Sequence, residues 1–335
     1  MNRHHAIRAS IAVGVLVVSV LAGCASTPGA ATTSTDKATA NKVGKIVYVP
    51  GLTGNPFYST VVCGARTAAK KAGVDFSTQG ASTWDVAKQT EIVNAVVASK
   101  PGAIMISITD PKAMIIPLTA AKEAGIPVVG IDGDLSDPDV MVSNIQADGI
   151  AGGELAGNAL AKLIGGKGSV MTIDNATGSI VSKARTDGFE KAIAQFPGIK
   201  FLGIQFSGND VSKAASFAST TATTNPDLAG IFSAETNNTE GAITGLRESG
   251  FTGKVKLVGY DTSDPIVAAL KNKTLDGTVV QNPRGEGALG VETAIAAMQG
   301  KTVTRQQSAA QVFATPDNYT DPKITQYIYD VNCTG

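Results

Sequence analysis

Glu123-Ala-Gly-Ile-Pro-Val-Val-Gly-Ile-Asp132 and Glu248-Ser-Gly-Phe-Thr-Gly-Lys-Val-Lys-Leu-Val-Gly-Tyr-Asp261 read alike: a helix end, a glycine, a short apolar strand, then an aspartate. Glycine after the last helical residue is the usual stop signal, and an apolar run this short fits a buried strand better than a helix. Working outward, similar apolar runs occupy 45–49, 103–108, 127–131, 169–173, 199–205, 230–233, 255–260 and 278–281. Amphipathic stretches separate them. Ile92/Val96 and Val93/Val97 fall at i,i+4 within 85–99, and Ala156, Ala159, Leu160, Leu163 and Ile164 share one face. Strands alternating with crossover helices form parallel sheets covered on both faces. One copy of the motif in each half predicts an α/β fold of two doubly wound parallel-sheet lobes with a ligand cleft between them. The carboxyl ends of parallel strands line the crevice of such a sheet, so Asp132 and Asp261 belong at its mouth.

The 335 residues carry 28 Lys+Arg and 28 Asp+Glu, a formal net charge of zero. That balance offers no grip on nucleic acid and no polybasic membrane patch. The length suits two domains. Residues 1–23 read as a lipoprotein signal peptide: Arg3 and Arg8 precede an apolar run at 11–21, too short to span a bilayer, which ends in Leu21-Ala22-Gly23-Cys24. Leu-Ala-Gly-Cys resembles the bacterial lipobox, which implies lipidation of Cys24 and an extracytoplasmic protein anchored to the cell membrane. Residues 25–44 contain five Thr, five Ala and two Ser and lack the apolar area to fold, so 24–44 reads as a lipidated cysteine with a flexible tether. Outside the cytoplasm the two remaining thiols, Cys63 and Cys333, suit one disulfide from the first helix to the C-terminus; two unpaired thiols are the alternative.

Asn55-Pro56-Phe57-Tyr58 follows the first strand. Pro56 restrains Asn55 to an extended backbone before the helix begins, which puts Asn55, Phe57 and Tyr58 at that strand's carboxyl end. With Gln146-Ala-Asp-Gly-Ile-Ala-Gly-Gly, Arg185-Thr-Asp-Gly-Phe189, Val258-Gly-Tyr-Asp261, and Gln281 followed by Gly290-Val-Glu-Thr, the chain resembles the ribose-type class of type I periplasmic binding proteins, the sugar-binding lipoproteins of ABC importers. The resemblance covers about 45–310 and implies a hinge between the lobes, with 45–146 plus 282–308 in the first and 147–281 plus 309–335 in the second. It also implies that Asn55, Phe57, Tyr58 and Asp132 contact ligand from the first lobe, and Arg185, Asn209, Glu235, Asp261 and Gln281 from the second lobe or hinge.

Those residue types suit a polyol, whose hydroxyls both donate and accept: carboxylates and amide oxygens accept, Arg and amide NH₂ donate, and flat aromatics cover apolar C–H faces. Bland roles remain open for each. Asp132 and Asp261 also suit helix caps, Arg185 a solvated helix face, Gln281 a hinge-backbone partner, and Trp84, the only tryptophan, packing instead of stacking on ligand. The ribose-type pattern has Arg where this chain has Gly133, an aromatic at Asn209 and Asn at Glu235. These departures disfavour ribose itself and favour a donor-rich ligand: another pentose, a hexose or a linear polyol. Asp132, Glu235 and Asp261 against Arg185 leave a charge of minus two, which a cationic amino sugar also suits.

The function expected is capture of a monosaccharide or polyol by hinge closure and delivery to an ABC permease in the membrane, by a monomer that uses no cofactor, metal or nucleic acid. A receptor for a furanosyl signal or chemotaxis ligand is the alternative on the same fold. A glycoside hydrolase is more remote: two carboxylates across a cleft suit one, but the only histidines, His4 and His5, lie in the signal segment, and the sequence has no nucleophile elbow or metal motif.

Overall fold

The computed structural model describes residues 44–333; the signal segment, Cys24 and nearly all of the tether lie outside them. The strands are β1 (Ile46–Val49), β2 (Phe76–Thr78), β3 (Ala103–Ile106), β4 (Val128–Ile131), β5 (Ser143–Ala147), β6 (Lys167–Asp174), β7 (Gly198–Phe206), β8 (Leu228–Ser233), β9 (Lys256–Tyr260), β10 (Gly277–Gln281), β11 (Gln306–Ala309) and β12 (Gln311–Ala314). The helices are α1 (Pro56–Ala72), α2 (Val86–Ala98), α3 (Ile115–Glu123), α4 (Gly149–Leu163), α5 (Ile180–Ile193), α6 (Val211–Thr224), α7 (Thr236–Glu248), α8 (Asp264–Lys271), α9 (Pro283–Met298) and the single turn α10 (Pro322–Thr325).

Two six-stranded sheets form. The first runs β11-β5-β4-β3-β1-β2 with every pairing parallel; the second runs β12-β10-β9-β8-β6-β7, parallel except where β12 lies antiparallel to β10. All eight apolar runs of the sequence became strands. β1, β3 and β4 are wholly buried, as strands covered by helices on both faces must be. The strands without such runs are β2, β5, β11 and β12. Three of them are sheet edges, and β5 (Ser-Asn-Ile-Gln-Ala) carries one large aliphatic residue.

The chain passes between the sheets at 148, at 282 and at 310. After β10 it returns to the first sheet through α9, which packs on α1, β3 and β4, before β11 pairs with β5. Close helix packing there requires glycine. A Cβ on Gly64 of α1 would lie 1.9 Å from the Arg284 carbonyl oxygen, and one on Gly287 of α9 would lie 2.0 Å from that of Val61. The C-terminal segment comes back to α1, where Cys333 is disulfide-bonded to Cys63 with a Cα–Cα distance of 5.0 Å. Arg284 and Asp330 form an ion pair at 2.8 Å beside it. Among the described residues no helix is long and apolar enough to cross a membrane.

Candidate functional site

The repeated strand-then-aspartate motif folds the same way in both sheets. Asp132 follows β4 with φ 46° and Asp261 follows β9 with φ 70°, both in the left-handed region that side chains with a Cβ seldom occupy. Each donates its backbone N–H to the neighbouring strand, Asp132 to the Ile145 carbonyl at 2.8 Å and Asp261 to that of Val279 at 2.6 Å. The conformation stops the strand and turns both carboxylates into one cavity between the sheets.

From the first sheet, Asn55 caps α1, its Oδ1 accepting from the Phe57 N–H at 2.8 Å. Phe57 and Tyr58 follow in the first turn, edge to face with centroids 5.3 Å apart. Both line the cavity, together with Asn55, Asp132 and Trp84, which sits just before α2.

From the second sheet, Arg185 of α5 reaches across. Its Nη2 lies 3.4 Å from Asp132 Oδ1, its Nη1 donates to the Ala234 carbonyl at 3.0 Å, and its guanidinium stacks 4.1 Å above the Tyr260 ring. With 3% and 10% exposure respectively, the Arg185 and Asp132 side chains form a buried pair that spans the lobes. Arg185 is therefore no solvated surface charge. Burial pushes the Asp132 carboxyl up to about 6, against the opposing pull of Arg185. Burial disfavours the guanidinium too, yet the surrounding carboxylates outweigh it and hold Arg185 protonated.

Glu235 and Asn209 also line the cavity. Glu235 occupies the N-cap position of α7 but makes no capping hydrogen bond; its carboxyl accepts only from Ser182 Oγ, at 3.3 Å. Burial raises it to about 8, with Arg185 opposing and Asp174, Asp261 and Asp132 adding to the rise. Asn209, at φ 64°, follows β7.

Asp261 differs from Asp132 in being held by three protein donors. Oδ1 accepts from Gln281 Nε2 at 2.8 Å and from the Tyr329 hydroxyl at 2.6 Å, and Oδ2 from Thr236 Oγ1 at 2.9 Å. Gln281, expected as a ligand contact or a hinge residue, stands behind Asp261. It ends β10, is 1% exposed and lies outside the cavity lining, where its amide orients Asp261. Trp84 does reach the cavity, as the stacking alternative requires.

Asn175, Ser179, Val181 and Thr236 line the same space without having been singled out from the sequence. Asn175 follows β6, so the strand-end rule that located Asp132 and Asp261 applied to it as well. Tyr329 had no such signal. It reaches Asp261 from the C-terminal segment and packs edge-on against Phe57 at 5.9 Å. Glu286 of α9 lies beneath the site, fully buried, with no hydrogen-bond partner for either carboxyl oxygen. Burial first, then the negative charge of Asp132, raises it well above the usual carboxyl range. Among the described residues no group of His, Cys, Asp and Glu is arranged to hold a metal.

Residues 46–302 match the family model described as a periplasmic binding protein domain. The D-ribose/D-allose-binding protein of Pseudomonas aeruginosa is 28% identical over 281 residues, 81% of this chain and 87% of the relative. The xylitol-binding protein of Mycolicibacterium smegmatis is 26% identical over 76% of this chain and 72% of its own length. A crystal structure of an ABC transporter solute-binding protein from Agrobacterium vitis, bound with α-D-tagatopyranose, superposes with a TM-score of 0.83 at 34% identity, over 85% of this chain and 99% of that one.

Proposed function

The chain belongs to the periplasmic binding protein family, and we propose on that premise that it captures a monosaccharide or polyol between its two lobes and delivers it to an ABC permease. The observation that carries this reading is the cavity between the sheets, where Asp132 and Asp261 end equivalent strands and Arg185 of one lobe pairs with Asp132 of the other. A ligand that replaces or completes this pair touches both lobes and stabilises the closed form, which is the state a permease distinguishes.

Asn55, Phe57, Tyr58, Asp132, Arg185, Asn209, Glu235 and Asp261 are the proposed ligand contacts, Trp84 covers the ring, and Gln281 holds Asp261. Acceptors dominate, as a ligand of hydroxyl donors requires. Binding without turnover fits the chemistry, because Asp132 is paired with Arg185 and Asp261 is occupied by three donors; neither is a free acid or nucleophile for glycoside cleavage.

A thermal-shift screen of pentoses, hexoses, deoxysugars and polyols tests the reading, since a ligand of the native state raises the melting temperature. At least one sugar or polyol should raise it by several degrees at 1 mM. No shift across the set rejects the function.

A further inference from the structure

The second-lobe wall of the cavity is short of donors. Asn175 is 1% exposed, and its Oδ1 has no hydrogen-bond partner; Asn209 Oδ1 is likewise enclosed and unpartnered. The Glu235 carboxyl beside them accepts a single long bond, from Ser182. The only enclosed donor left over on a lining residue is Arg185 Nε. Two unpartnered amide oxygens and a carboxyl with one long bond thus belong to residues lining one cavity, and an ammonium group supplies three N–H donors and no acceptor.

Charge points the same way. Glu235, Asp132 and Asp261 line the cavity against Arg185 alone, with Asp174 buried next to Asn175 behind it. A second cation cannot be placed after Asp132: a Cβ on Gly133 would lie 2.9 Å from the backbone nitrogen of Ile108. A buried carboxylate without a paired cation is costly, so Glu235, the one left without a strong partner, keeps its proton. A cation brought by the ligand lets it ionise.

Resting on the sugar-capture reading above, we propose that the ligand is an amino sugar or amino polyol whose ammonium group is held by Glu235, Asn175 and Asn209. The rest of the ring or chain then meets Asp132, Arg185 and the aromatic wall of Phe57, Tyr58 and Trp84. Without ligand, Glu235 is protonated at neutral pH, surrounded by Arg185, Asp174, Asp261 and Asp132. Docking the ammonium ionises it, and the proton leaves to solvent.

Matched pairs decide the matter by titration calorimetry on the purified protein at pH 7, in two buffers of different ionisation enthalpy. The probes are D-glucosamine, D-galactosamine, D-mannosamine and 1-amino-1-deoxy-D-glucitol, each beside its neutral parent. At least one amine should bind 10-fold or more tighter than its parent and release close to one proton. Glu235→Gln should weaken that amine 10- to 100-fold while moving its parent less than 3-fold, and Asn175→Ser provides a second variant with a smaller loss. Parents that bind as tightly as or tighter than every amine overturn this inference and leave sugar capture standing. Absence of binding in both series, repeated across the wider thermal-shift set, removes sugar capture itself and this inference with it.

Discussion

Replacing Glu286 with Met should stabilise the protein, increasingly so as the pH rises. Glu286 is fully buried on α9, and neither carboxyl oxygen has a partner. An enclosed polar group without a hydrogen bond costs about 1–3 kcal/mol, and methionine is close in length without that cost. The sign with pH follows from the direction of the shift. Burial and the charge of Asp132 raise the folded-state carboxyl above its ordinary 4.5, so the folded state holds the proton more tightly than the unfolded chain. Its contribution to stability is complete below pH 4.5 and is lost as pH rises, by about 1.4 kcal/mol for each pH unit until the folded-state value is reached. Asp132, raised from 3.8 to about 6, and Glu235, raised from 4.5 to about 8, lose stability over their own windows, so the variant keeps part of the wild-type slope. Urea unfolding of both proteins at pH 4.5, 6, 7.5 and 9 measures the difference. Glu286→Met should be ahead by about 1–3 kcal/mol at the acid end, and the gap should widen towards alkaline pH. A gap independent of pH, or a variant less stable than wild type at pH 7.5, refutes the reasoning.

Asp132→Ala removes the Arg185 partner and a charged acceptor; at roughly 1.5 to 3 kcal/mol it should weaken binding of the sugar found by thermal shift about 10- to 100-fold by calorimetry, and unchanged affinity would take Asp132 out of the site. Tyr329→Phe keeps the ring packed on Phe57 but deletes the 2.6 Å bond to Asp261; unfolding should show a loss of about 1–3 kcal/mol, and an unaffected midpoint would show that the bond contributes nothing net. The Cys63→Ser/Cys333→Ser double variant opens a cross-link spanning 270 residues of sequence, for which chain entropy sets an upper limit of about 5.6 kcal/mol; urea midpoints of wild type with and without reductant should bracket the variant, and a change below about 1 kcal/mol would mean that the tail is held without the bond.

The fold was legible because strands buried on both faces must be apolar throughout, so β1, β3 and β4 announced themselves, and the aspartates ending β4 and β9 marked the crevice. Edge strands escape that rule: β2, β11 and β12 need not be apolar on both sides, and β5 is carried by Ile145 among polar neighbours. Within the site, Asn55 and Asp132 stood at a helix start and a strand end, and Arg185 in a motif inside α5. Gln281 ends β10 just behind the lining, a position that differs from a lining one only by geometry. Tyr329 lies 68 positions from Asp261, and no local pattern joins them. Glu286 sits in the middle of an otherwise ordinary helix, where nothing but burial reveals it.

Only four peptide steps separate Tyr329, hydrogen-bonded to Asp261 in the second lobe, from Cys333, covalently fixed to α1 in the first. Stretched taut, such a leash reaches about 14 Å. The jaws of the molecule consequently have a maximum gape set by chain length, and a wider yawn demands that Tyr329 let go of both Asp261 and the neighbouring Thr262 hydroxyl. Admission of solute and grip on Asp261 are in this way mechanically linked.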